Sequence, residues 1–250
     1  FAAALDVVRQ DAVKQASKLG KAASDRTVDG HNYTPEEIGV LADQFTSEMD
    51  TSGLSLAWDD YSDTLQAVAA DGSKQEVARI VAADPTVAPA ATEAGFDMLD
   101  HQDPRAIEWA QQHAVELLGS DGSGGQLEQS TRDMIRQTVA KALEDHATND
   151  ELAQILSDAY AFTPDRAELI ARTEVANALT EGAYAGAVSV GMKVKRWLLS
   201  NDEGVCPICT ANAAQEWIPI DKPFQSGDLA PIAHPRCRCD AAYRRKPAED

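Results

Sequence analysis

Three long helices are announced by a capping residue directly before proline: Thr34-Pro35, Asp103-Pro104 and Thr163-Pro164. The Thr or Asp oxygen can accept from an N–H of a first helical turn that has no other partner. Proline suits the next position because the N–H it lacks would be idle there. Each pair therefore opens a helix. Glu36 and Glu37 follow the first pair, and Glu37 completes a capping box with Thr34. Apolar residues at helical spacing continue all three. They are Ile38, Leu41 and Phe45 in the first and Ile107, Ala110, Ala114 and Leu117 in the second. In the third, Leu169, Ile170, Ala176 and Tyr184 mark a long alanine-rich helix that ends near Gly191.

The rest of the chain before Gly191 has the same texture. Leu5, Val8, Ala12, Ala16 and Leu19 predict a helix over 2–23 that breaks at Asp29-Gly30. Another is predicted over 55–70, ending at Asp71-Gly72, with a short one over 75–82 before Pro85. Beyond the glycine-rich loop 119–125, Met134, Ile135, Val139 and Leu143 mark a helix over 127–143, and a shorter one follows Asn149. After Gly191 the pattern changes. Residues 193–199 alternate and predict a strand. Residues 216–220 predict an edge strand, because they contain Pro219. Residues 239–243 predict a third. The expected fold is mainly α: a helical N-terminal region, a long helix, and a small β-rich, zinc-knuckle-like module at the C-terminus. Three segments follow: 1–85, acidic, helical and without a motif; 86–159, a helical lead-in; and 160–250, which carries the motifs.

Charge divides along similar lines. The 250 residues hold 22 Lys+Arg and 41 Asp+Glu, a net charge of −19. Residues 1–159 hold 11 basic and 29 acidic side chains, a net −18, and residues 160–250 hold 11 and 12, a net −1. Phosphate contacts need Lys and Arg, so the acidic part is excluded from general nucleic-acid binding. No apolar run approaches the ~20 residues that span a bilayer, so no membrane partner is expected.

All four cysteines lie in the C-terminal segment. Cys206-Pro207-Ile208-Cys209 is a C-x-x-C turn, and His234-Pro235-Arg236-Cys237-Arg238-Cys239 follows after 24 residues. A tetrahedral zinc site needs four ligands, usually presented as two short turns. Cys206, Cys209, His234 and Cys237 supply two pairs of equal spacing, with Cys239 as the alternative ligand. A module this small has little core, and a bound metal contributing on the order of 10 kcal/mol would help hold it. Other chemistries lack their partners. There is no H-x-E for a zinc deaminase, no H-E-x-x-H for a zinc protease, and no βαβ context for a redox C-x-x-C. Structural zinc is therefore the expected cofactor, and no enzyme activity is expected.

Several motifs come in a fixed order: Arg166–Glu174 with its Ala171-Arg172-Thr173-Glu174, then Gly182, Gly191, Lys195-x-Trp197, Cys206-x-x-Cys209, Pro231 and His234–Cys239. This set resembles the phage Mu F-type head morphogenesis family, the minor capsid proteins of tailed phages. The resemblance covers about 150–245, and 86–159 resembles the helices that precede it. It implies a virion protein inside the capsid near the portal vertex, found in the host cytoplasm during assembly. It implies partners in the portal protein and in the major capsid or scaffolding protein. It also implies a role in head assembly that extends to packaging or ejection of double-stranded DNA.

The remaining candidates divide between interaction and packing. Arg172 and Glu174 are two apart and cannot face each other, whereas Arg172 can meet Glu168 on a helix surface. They are candidates for gripping the module or a portal loop. Trp197 and Trp217 are expected in the module core, with nothing basic around Trp217. Arg236, Arg238, Arg244, Arg245 and Lys246 form a basic stretch that could contact DNA. His31, His101, His113 and His146 are expected to be ordinary histidines without partners. Two other function classes remain: a DNA-binding protein acting through the basic C-terminal edge, and a metal-dependent nuclease or transferase.

Overall fold

The computed structural model describes residues 2–27, 34–55, 58–97, 101–118, 125–145, 147, 149–200 and 204–245. Asp29-Gly30, residues 119–124, His31, His146, Lys246 and the side chain of Leu19 lie outside the described residues. The elements in chain order are α1 (Ala2–Thr27), α2 (Pro35–Glu48), α3 (Ser52–Ser55), α4 (Trp58–Ala83), α5 (Ala88–Glu93), α6 (Pro104–Leu118), α7 (Gln126–Glu144), α8 (Asn149–Ser157), α9 (Pro164–Ser189), β1 (Val194–Leu198), α10 (Pro207–Ala214), β2 (Ile218–Pro219) and β3 (Asp240–Arg244). The fold is mainly helical with one three-stranded sheet, as expected.

The three capping pairs act as their chemistry predicts. Thr34 Oγ1 accepts from Glu37 N at 3.3 Å, and Glu37 Oε2 accepts from Thr34 N at 2.9 Å, which closes the capping box. Asp103 Oδ1 accepts from Arg105 N at 2.9 Å, and Thr163 Oγ1 from Arg166 N at 3.3 Å.

The chain forms two compact units. The first comprises Phe1–Asp59 and Ala114–Glu168, the second Asp60–His113 and Leu169–Asp250. In the first, α1 packs on α8 and α3, and α2 packs on α7. Leu5, Val8, Ala12 and Ala16 form the buried face of α1, and Leu152 and Leu156 are buried on α8. Two arginines tie this unit to backbone oxygens. Arg132 pairs with Glu128 and donates to the carbonyls of Thr46 and Met49. Arg166 is buried and donates to Ala161 O at 2.8 Å, Ser130 Oγ at 3.1 Å and Thr131 Oγ1 at 3.0 Å.

In the second unit α4 and α9 approach closely. A Cβ on Gly72 would collide with the backbone of Leu179, and one on Gly182 with the carbonyl of Ala69. This explains one departure from expectation. The break predicted at Asp71-Gly72 is absent, and α4 runs unbroken through it. Gly72 costs the helix roughly 1 kcal/mol in propensity, and close packing offsets that. Gly191 ends α9 with φ +82°, while Met192 N donates back to Ala187 O at 3.0 Å.

The sheet has the order β2-β1-β3 and is antiparallel throughout, with Val194 opposite Pro219 and Trp197 opposite Ala241. The predicted second strand shortens to the two residues of β2. Trp197, Phe224, Cys209, Cys237 and Cys239 form a buried cluster beside it. The edge of Phe224 meets the Trp197 ring at 5.0 Å between centres.

Candidate metal centre

Cys206 and Pro207 repeat the pattern of the three helix starts, with sulfur in place of oxygen. Cys206 is the N-cap of α10, a helix that the sequence reading treated as a turn. Its Sγ accepts from Cys209 N at 3.3 Å. That backbone donor holds the Cys206 thiol below the usual range, with the nearby His234 adding to the effect. Burial, together with hydrogen bonds to the neighbouring cysteines, pushes the Cys209 thiol up.

The second turn is equally specific. Cys237 N donates to His234 O at 3.0 Å. Pro235 occupies the second position and Arg236 the third, with φ +67°. Proline followed by a positive φ is the pattern of a type II turn, which normally favours Gly or Asn at the third position. Keeping an arginine there stores strain at the site. His234 Nδ1 lies 2.8 Å from Pro235 O. A carbonyl can only accept, so Nδ1 carries the hydrogen and Nε2 is left as an acceptor. Such an outer-shell bond orients a metal-ligating imidazole.

The two turns meet. His234 Nε2 lies 3.1 Å from Cys206 Sγ and 3.4 Å from Cys209 Sγ, and Cys209 Sγ lies 3.5 Å from Cys237 Sγ. Ligand atoms around a tetrahedral zinc stand about 3.5–3.8 Å apart, and these spacings are slightly tighter than that, on the scale of one ion. The ligand atoms of Cys206, Cys209 and His234 lie within 4.8 Å of one another, as do those of Cys209, Cys237 and Cys239. Cys209 belongs to both groups, which between them hold all five expected donors.

Trp197 is 1 % exposed, in the module core as expected. Trp217 is different from expectation: the Arg244 guanidinium lies 4.1 Å above its ring. The basic stretch separates. Arg236 and Arg238 are exposed beside Cys237, while Arg244 covers Trp217 and Arg245 donates to Thr86 Oγ1 and O at 3.1 Å each.

Arg172 and Glu174 part company as well. Arg172 is exposed and Glu174 is buried. Glu174 Oε2 accepts from Tyr61 Oη at 3.0 Å and meets His113 Nε2 at 2.6 Å. His113 also stacks on Trp109, with centres 4.8 Å apart and planes 11° apart. So His113 has partners, contrary to expectation, and Glu174 is no surface acid. Lys195, noted only as part of a motif, is fully buried. Among the described residues no helix is long and apolar enough to cross a membrane.

Residues 133–242 match the family model described as phage Mu protein F like protein. No curated protein and no solved structure matches the chain. The matched span contains α9, β1, β2, the first residues of β3 and every donor of the Cys/His cluster. Over residues 133–242 the chain is therefore similar to phage Mu protein F like protein, the family that its ordered motifs resemble.

Proposed function

We propose that this protein is a minor component of the phage head, bound at or near the portal vertex and acting in head assembly. The family match over 133–242 carries this reading. Its module is non-catalytic and metal-stabilised, with zinc held by Cys206, Cys209, His234 and Cys237 and with Cys239 as the alternative donor. The convergence of these donors supports the metal, and the Nδ1–H bond of His234 to Pro235 O supports the histidine as a ligand. The ion would supply a structural crosslink between the start of α10 and the turn before β3. The residues around it bind and orient; none performs a proton transfer. Zinc analysis of the purified full chain, together with co-purification from assembling heads, tests both halves. One zinc per chain and a fixed ratio to portal protein are expected. Absence of stoichiometric metal overturns the zinc assignment, and absence of portal from the co-purified complex overturns the location.

A further inference from the structure

The Cys/His donors come from two places far apart in sequence, so something must bring His234 to Cys206 and Cys209. Residues 221–233 form the connection. It has a turn of its own, in which Phe224 N donates to Asp228 O at 2.8 Å and Gly227 N to Phe224 O at 2.9 Å. The turn alone does not fix where the segment lies.

Three side chains do. Asn212 is on α10, three residues after Cys209, and is fully buried. It uses both ends of its amide on one residue: Nδ2 donates to Ser226 Oγ at 2.8 Å, and Oδ1 accepts from Ser226 N at 3.0 Å. Gln215 Oε1 accepts from Gln225 N at 2.7 Å. Lys195 reaches the segment from β1. Its Nζ donates to Leu229 O at 2.6 Å and lies 4.9 Å from the ring centres of Tyr184 and Phe224. An ammonium group over ring faces and against a carbonyl is held electrostatically. Ile232 and Ala233 then pack on the Trp197 cluster, and His234 follows.

We propose that Asn212 and Lys195 are positioning residues for the metal centre: they fix the segment 221–233 so that His234 meets Cys206 and Cys209 before an ion arrives. The inference rests on the metal reading above and adds how the site is built. A preformed site loses less ordering entropy on binding than one assembled by the ion. Outer-shell partners of metal ligands typically control affinity by tenfold to hundredfold. Neither residue touches the ion or the donor sulfurs.

Cobalt(II) titration of the full chain tests this, because thiolate-to-cobalt absorption reports ligands and affinity together. Asn212→Ala and Lys195→Met are each expected to weaken cobalt binding at least tenfold, at a temperature where circular dichroism shows full folding. Their thiolate absorption at saturation should equal that of the parent, since the ligands are unchanged. Asn212→Asp keeps the acceptor for Ser226 N and should recover part of the loss. Ser226→Ala changes an exposed residue that cannot unfold the core, and should weaken binding several-fold. A purely structural role would lower the melting temperature and leave affinity in the folded protein unchanged. Parent-like affinity in the folded Asn212, Lys195 and Ser226 variants overturns the inference and leaves the metal reading intact. Failure of the parent chain itself to bind cobalt overturns both.

Discussion

Glu174 and Arg172 are two residues apart on α9, and burial separates them. Glu174 holds the Tyr61 hydroxyl and the His113 ring, both within the second unit. Glu174→Ala removes the buried carboxylate that both of them meet, which costs about 2–3 kcal/mol. Arg172→Ala changes an exposed position and should stay within about 0.5 kcal/mol. Urea unfolding of the two variants checks this, and equal midpoints would remove Glu174 from the core. Sequence spacing alone ranked neither residue. The i to i+4 rule places Glu168 beside Arg172, but it says nothing about α4 and α6 arriving over Glu174.

The close approach of α4 and α9 depends on glycine at the crossing. Gly182→Val would drive a branched side chain into the Ala69 carbonyl, and overpacking of this kind costs about 3 kcal/mol. Thermal unfolding should show the loss, and a melting point within error of the parent would mean that the helices can part freely. The face of α9 toward β1 makes a second prediction, in pH. Burial raises the Glu181 carboxyl to about 7 and lowers the Lys195 ammonium to about 8. As pH rises from 4.5 to 7, folded Glu181 keeps a proton that the unfolded chain has lost, so this group's contribution to stability falls. From pH 8 toward 10.5 folded Lys195 has lost a proton that the unfolded chain keeps, so its contribution rises. The two together put a trough near neutrality, where both charges are buried. Lys195→Met should remove the alkaline rise, read as the difference between parent and variant stability from pH 8 to 10. An unchanged rise in the variant would assign it to other groups.

At the scale of the whole molecule, the net −18 of residues 1–159 repels a DNA backbone, and only the segment after them is near neutral. All four arginines of the basic stretch are exposed there: Arg236 and Arg238 lie beside Cys237, and Arg244 and Arg245 are engaged at Trp217 and Thr86. The full chain is therefore expected to show weak DNA binding that disappears by about 200 mM salt, as counterion release dictates for a few phosphate contacts. A gel shift titrated with salt reads this directly. Tight binding that persists at that salt would make DNA the primary partner and displace the head-assembly reading.

Much of the local architecture is written in adjacent residues. A capping side chain and proline start α2, α6 and α9, and apolar spacing marks the face that will be buried. The C-x-x-C and H-P-x-C spacings likewise name the donor types and pair them within short turns. Cys206-Pro207 follows the same rule as Thr34-Pro35, a helix signal for α10 that the C-x-x-C turn masked. These are short-range effects, and each needs only its neighbours in the chain. Burial and long-range pairing need the tertiary structure. It decided that α4 passes through Gly72, because the cost of glycine in a helix is offset only when Leu179 lies against it. It decided that Glu174 and Lys195 are interior groups, because removal from water requires elements distant in sequence. It also decided that Asn212 and Ser226 meet, since a hydrogen bond forms only when its two partners reach contact distance.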